Sequence, residues 1–234
     1  MPSTQAIYLE VGSRRVFAGA LDWPGWCRSG RDEDGALQAL VAYGSRYAAA
    51  LAEAARGFTP PQNASSLKVT ERLKGNATTD FGAPGVPPAG DERPLEPAEL
   101  RRLSHLLQAC WAAFDRATGA AHGAVLRKGP RGGGRDLDAI VSHVLEADLA
   151  YLAGLGGRYR KVGGAGVATE MTGARDAVLD LLSSRARGAA PPRTPRSGKL
   201  WTPRYAVRRS AWHALDHAWE IEDRATTERP PGRA

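Results

Sequence analysis

From Pro97 to Ala225 the apolar residues recur with the 3.6-residue period of helices, in four separate segments. Pro97 suits a first helical turn. Leu100, Leu103, Leu106, Leu107, Cys110, Trp111 and Phe114 then mark a stripe that runs to about Thr118. Asp136 is placed to N-cap a second helix carrying Leu137, Ile140, Val141, Val144, Leu145, Leu149 and Leu152. A third helix is expected over about Gly173 to Arg187, and a fourth over Tyr205 to Ala225. A helix with one apolar stripe must bury it against neighbours. Four in succession predict an antiparallel four-helix bundle over residues 97–228.

Upstream of Pro97 the pattern changes. Ala6-Ile-Tyr-Leu-Glu-Val11 and Arg15-Val-Phe-Ala-Gly-Ala20 are short β-rich runs joined by Gly12-Ser13-Arg14, a hairpin signal. Residues 22–30 read as a loop. One helix is expected from Asp32 to Arg56, ended by Gly57 and Pro60-Pro61. Ser66 to Arg72 alternates like a strand, with a further strand near Ala77 to Phe81. The predicted fold class is therefore α+β: a β-β-α-β(-β) module over residues 1–82, then the bundle. Residues 83–96, dense in Pro and Gly, read as a linker. The glycine-rich run at 129–134 reads as a flexible connection, and residues 229–234 as a frayed tail.

Composition sets outer bounds. At 234 residues, 42% hydrophobic and 24% charged, the chain has apolar material for a packed core. No apolar run approaches the roughly 20 residues needed to span a bilayer, and Met1-Pro2-Ser3-Thr4 lacks signal-peptide features. A cytoplasmic protein with no membrane partner is expected. Cys27 and Cys110 form no C-x-x-C pair and are expected as free thiols. Cys27, beside Trp23 and Trp26 in a loop, is the better candidate of the two for a reactive thiol, but an unreactive side chain is the expected reading. The net charge of +7 raises nucleic acid as a partner. However, the excess is arginine in loops, without a helix-turn-helix, zinc-finger or RNP-like motif. Nucleic acid is therefore not the expected partner.

The chemistry-bearing stretch is Arg208 to Arg224. His213 and His217 are four apart, so on a helix they stack on one face with about 5–6 Å between Cβ atoms. Their imidazoles can converge on one ion at about 2.0–2.1 Å. His143, on or beside the apolar stripe of the second helix, is the candidate third ligand. With five histidines in the chain, an H-x-x-x-H arises by chance in roughly 8% of arrangements. The competing reading is a hydrogen-bonded core His143 with a surface His213/His217 pair. Asp216 and Glu220 are candidates to orient the imidazoles, or to pair with Arg209 and Arg224. Asp148 and Tyr151 are weaker catalytic candidates.

The pattern Ser142-His-Val-Leu-Glu-Ala-Asp148 with Arg209-Ser-Ala-Trp-His-Ala-Leu-Asp-His217 resembles the DinB/YfiT-like metalloprotein superfamily, over about residues 95–226. That resemblance implies a four-helix bundle with a three-histidine metal site, one ligand on the second helix and two on the fourth. All three positions match, as His143, His213 and His217. It also implies thiol-dependent transferase or isomerase chemistry using mycothiol, bacillithiol or glutathione. The N-terminal segment, with Phe17-Ala-Gly-Ala-Leu-Asp-Trp-Pro-Gly-Trp-Cys27 before a helix, resembles HicB-like domains, without an obvious DNA-binding tail. The expected function is thus a metal-dependent enzyme that transfers a low-molecular-weight thiol to, or isomerises, a small electrophile. Zinc is the first choice of metal, with nickel or iron as alternatives. The alternative is a non-catalytic, metal-binding regulator that docks a partner protein. A homodimer is a further expectation.

Overall fold

A computed structural model describes residues 4–128, 134–195 and 199–225. It is a mixed α+β structure with four strands and seven α-helices among those residues. Strands β1 (Gln5–Val11), β2 (Val16–Ala20), β3 (Cys27–Gly30) and β4 (Leu67–Lys74) form one sheet in the order β3-β2-β1-β4. β1 runs antiparallel to β2 and parallel to β4. The register slips after Ile7, where Thr70 is passed over and its hydroxyl donates to the Ile7 carbonyl at 3.0 Å. α1 (Glu33–Ala42) and α2 (Gly44–Leu51) lie in the crossover from β3 to β4. α3 is a short helix, Ala77–Phe81. The four long helices are α4 (Pro97–Ala120), α5 (Leu137–Gly154), α6 (Val167–Ala186) and α7 (Pro203–Arg224). Pro97 and Asp136 start their helices as expected, and the Asp136 carboxylate accepts from the Ala139 N–H at 2.8 Å.

Three N-terminal elements differ from the sequence expectation. Residues 22–30 are not all loop: Gly25, at φ +93°, reverses the chain and returns residues 27–30 to β2 as a third strand. The expected strand at 77–81 is α3 instead. Asn76 caps it by accepting from the Thr78 N–H at 2.8 Å, while the Thr79 hydroxyl accepts from the Asn76 N–H at 2.8 Å. That reciprocal cap overrides the β-preference of two threonines. The single helix expected over 32–56 is broken at Tyr43 and Gly44, where α2 abuts Pro60 and Pro61. The order is therefore β-β-β-α-α-β-α rather than β-β-α-β(-β). Of the glycine-rich connection expected at 129–134, residues 129–133 lie outside the described residues, as does the tail at 229–234.

One apolar core runs through the whole assembly, from Ile7, Leu9 and Trp26 to Leu106, Val144, Leu182 and Trp219. Residues 83–96 take part in the packing, with Asp91 and Leu95 buried. α7 is the central element. It is buried on nearly every side although it is rich in charge, and most of its buried polar groups are paired. Arg208 pairs with Asp91 at 2.8 Å and donates to the carbonyls of Ala20 and Leu21. Arg204 holds Glu99 and the carbonyls of Arg93 and Pro94. Further along, Trp212 meets Phe17 edge-on at 6.0 Å, Asp216 pairs with Arg28 at 2.8 Å, and Trp219 packs on Tyr43. Residues 208, 212, 216 and 219 form one helical face, committed to the sheet unit. The adjoining face carries His213 and His217 and packs on α5. No helix among the described residues is long and apolar enough to cross a membrane.

Candidate metal centre

The three predicted histidines converge. His143 projects from α5 and His213 and His217 from α7, and one ring nitrogen of each lies within 4.8 Å of the others. The ring centroids are 4.5–5.1 Å apart. Nε2 of His143 and Nε2 of His213 are separated by 3.2 Å. Two imidazole nitrogens bound tetrahedrally at about 2.0–2.1 Å would be about 3.3 Å apart, so this spacing suits a shared ion. A surface pair beside an unrelated core histidine would not give this geometry. His213 and His217 are buried, and His143 is half-buried.

The donor chemistry fits a metal as well. A ligand nitrogen must be unprotonated, and its ring partner should be held by an acceptor. Burial, with the neighbouring His217 and Arg209 charges, drives the pKa of His213 well below the usual imidazole value. Burial also lowers His143, helped by Arg135. On His217, Nδ1 lies 2.8 Å from Glu220 Oε2, so in the neutral ring the carboxylate draws the proton to Nδ1 and Nε2 is the atom able to ligate. Glu220 is in turn held by Arg224 at 2.5 Å. The bond to His217 lowers the Glu220 pKa, so its carboxylate stays ionised. The site is least complete at His213 Nδ1, which is buried without a hydrogen-bond partner.

The other candidates separate by helix face. Glu220 both orients His217 and pairs with Arg224, so two alternatives expected of it are realised together. Asp216 points instead to Arg28 on the sheet unit, and not to Arg209. Asp148 faces away from the histidines. It bonds Arg175 at 3.4 Å and Ser210 at 3.4 Å, and burial raises its pKa to about 6. Tyr151 meets His213 edge-on with ring centroids 5.7 Å apart, and burial raises its pKa, so the phenol stays protonated. Both thiols are buried, and burial pushes Cys27 up to about 12, which removes it as a reactive nucleophile.

Arg209 was read from the sequence only as an ion-pair partner, and Trp201 and Arg175 were not singled out. Arg209 stacks over Trp212 and Tyr151, with its guanidinium carbon 4.7 and 5.5 Å from their ring centroids. Trp201 packs on Tyr151 at 5.3 Å. Arg175 bridges Asp148 and Asp115. Arg209 lies four residues before His213 and so shares its face, a signal readable from spacing alone. Trp201 carries no such signal, because a loop delivers it. No family model, curated protein or solved structure matches the chain.

Proposed function

We propose that this protein is a metal-dependent enzyme in which His143, His213 and His217 hold a divalent ion, zinc first and nickel or iron as alternatives. Its reaction would be transfer of a low-molecular-weight thiol to a small electrophile, or isomerisation of such an electrophile. The observation that carries the reading is an all-imidazole donor set drawn from two helices, with two donors 3.2 Å apart. Three imidazole ligands, with no fourth His, Cys, Asp or Glu grouped with them among the described residues, are the pattern of catalytic rather than structural sites. We read α4 to α7 as the antiparallel four-helix bundle of DinB/YfiT-like proteins, with a HicB-like unit in front. The thiol, mycothiol among the candidates, enters only through that resemblance.

When bound, such an ion has open positions and lowers the pKa of a thiol or water held there. The chain's own residues supply the rest. Glu220 keeps the His217 proton on Nδ1 and so keeps Nε2 available. Burial of α7 keeps His213 unprotonated at neutral pH. Tyr151, protonated and in contact with His213, is the nearest phenol able to donate a proton to a leaving group or enolate. Asp148 and Asp216, committed to Arg175 and Arg28, are assigned to the scaffold.

The test is thiol consumption by zinc-loaded protein presented with a small electrophile, beside His213→Ala. The variant should keep its far-UV circular dichroism and lose the rate above the uncatalysed reaction. A rate equal in wild type and variant contradicts the proposal. So does a variant that loses stability while the wild type shows no turnover, which would be the behaviour of a structural metal in a regulator.

A further inference from the structure

Between the sheet unit and helices α5 and α7 lies a cavity of about 230 Å³, one helical turn from the histidine cluster. Three of its walls are aromatic. Trp201 stands 5.3 Å from Tyr151 and 4.7 Å from Tyr205, measured between ring centroids. These walls are fixed rather than incidental. The Trp201 backbone N–H donates to the Gly154 carbonyl at 2.9 Å. Its ring lies where a Cβ on Gly154 would come within 2.9 Å. Gly85 on the facing loop is held by Glu10, a fully buried carboxylate that accepts from the N–H groups of Gly85 and Val86 at 2.9 and 3.1 Å.

The floor of the cavity carries Arg209. The other interior arginines of the helical half, Arg175, Arg204 and Arg208, each have a carboxylate partner. Arg209 has aromatic rings beneath it, and its Nη1 is buried with no hydrogen-bond partner. A guanidinium is charged at every accessible pH, and leaving one of its buried donors unpaired is unfavourable. The planar fork of arginine matches a carboxylate.

We infer that this cavity is a carboxylate subsite: a small planar carboxylate seats its anionic group on the Arg209 guanidinium and lays its plane against Tyr151, Trp201 and Tyr205. The volume is below the roughly 300–1,000 Å³ of sites for drug-sized ligands, so the occupant is a small metabolite and not a bulky thiol cofactor. Arg209 precedes His213 by one turn and Tyr151 touches both side chains, so the occupant lies beside the metal ligands. The subsite thus names the substrate class of the proposed enzyme, and it rests on that proposal for this link alone.

Benzoate and its neutral isostere benzamide are suitable probes, titrated calorimetrically into chelator-treated and zinc-loaded protein. Benzoate should bind both forms, roughly tenfold or more tightly than benzamide. Arg209→Gln should bring benzoate down to the benzamide level, and Gly154→Ala, which displaces Trp201, should weaken both probes. Benzoate that binds no tighter than benzamide, or not at all, overturns the assignment. Binding seen only with zinc and indifferent to Arg209→Gln also overturns it, because the carboxylate would then be on the ion. The comparison of probes on wild-type protein decides the matter even if a variant fails to fold. Since the chelated protein should still bind benzoate, failure of the metal proposal and failure of the subsite give different results.

Discussion

Replacing Glu220 tests the metal centre through a residue that touches no ion. The Glu220 carboxylate accepts from His217 Nδ1 at 2.8 Å and is held from behind by Arg224. In Glu220→Gln the amide oxygen can still accept that proton, so ring orientation is largely kept. The negative charge that makes His217 a stronger ligand is lost, and so is the ion pair that stiffens the contact. Losing an acceptor of this kind typically weakens metal binding about 10- to 100-fold, or about 1.4–2.8 kcal/mol. The retained hydrogen bond puts the expectation at the lower end, about tenfold. Competition with a chromogenic zinc chelator at neutral pH measures the change. Asp216→Asn is the control, because Asp216 is bound to Arg28 and should leave zinc affinity unaltered. Equal zinc affinity in Glu220→Gln and wild type, with both folded, would refute the reasoning, as would an equal loss in Asp216→Asn.

Other expectations concern stability. Asp91→Ala leaves the buried Arg208 charge without its carboxylate and should cost about 3–5 kcal/mol by urea denaturation; a cost under about 1 kcal/mol would show that the Ala20 and Leu21 carbonyls suffice. Burial raises the Asp148 pKa from 3.8 to about 6, so the folded state binds the proton more tightly than the unfolded state does. The resulting stability is fully present below pH 3.8 and is lost as pH rises through about 6, a change on the order of 3 kcal/mol. The stability difference between wild type and Asp148→Asn should therefore shift over that window, and a difference independent of pH would contradict it. Zinc at about 100 times its dissociation constant should stabilise the fold by about 2.7 kcal/mol, and chelation should reverse the gain in thermal denaturation. Gly25→Ala places a Cβ 2.8 Å from Leu215 Cδ1 at a φ of +93° and should lower the melting temperature; an unchanged melting temperature would show that this turn relaxes freely.

The histidine cluster was legible because it rests on helical spacing, the most dependable periodic signal. Residues 213 and 217 had to share a face, and the apolar stripe around His143 had to turn inward. The same arithmetic, about 100° per residue, also sorts the acidic candidates. Asp148 is five residues from His143 and points well away from it, whereas Glu220 is three from His217 and lies beside it. Asp216 adjoins His217 in sequence but belongs to the face that meets Arg28. What could not be read was tertiary. β3 became a strand because Gly25 turned Cys27–Gly30 back onto β2, and nothing in Cys-Arg-Ser-Gly shows that by itself. α3 was decided by a local cap rather than by propensity. Burial of charge along α7 was hidden as well, since Arg204 and Arg208 look like a solvated face until Glu99 and Asp91 are brought to them.

Metal analysis of the purified protein, beside a variant with His143, His213 and His217 all changed to alanine, addresses the central claim most directly. Shared coordination predicts close to one divalent ion per chain after loading and removal of excess, and none retained by the variant. A wild-type chain that keeps no ion, or a variant that keeps as much, would contradict it.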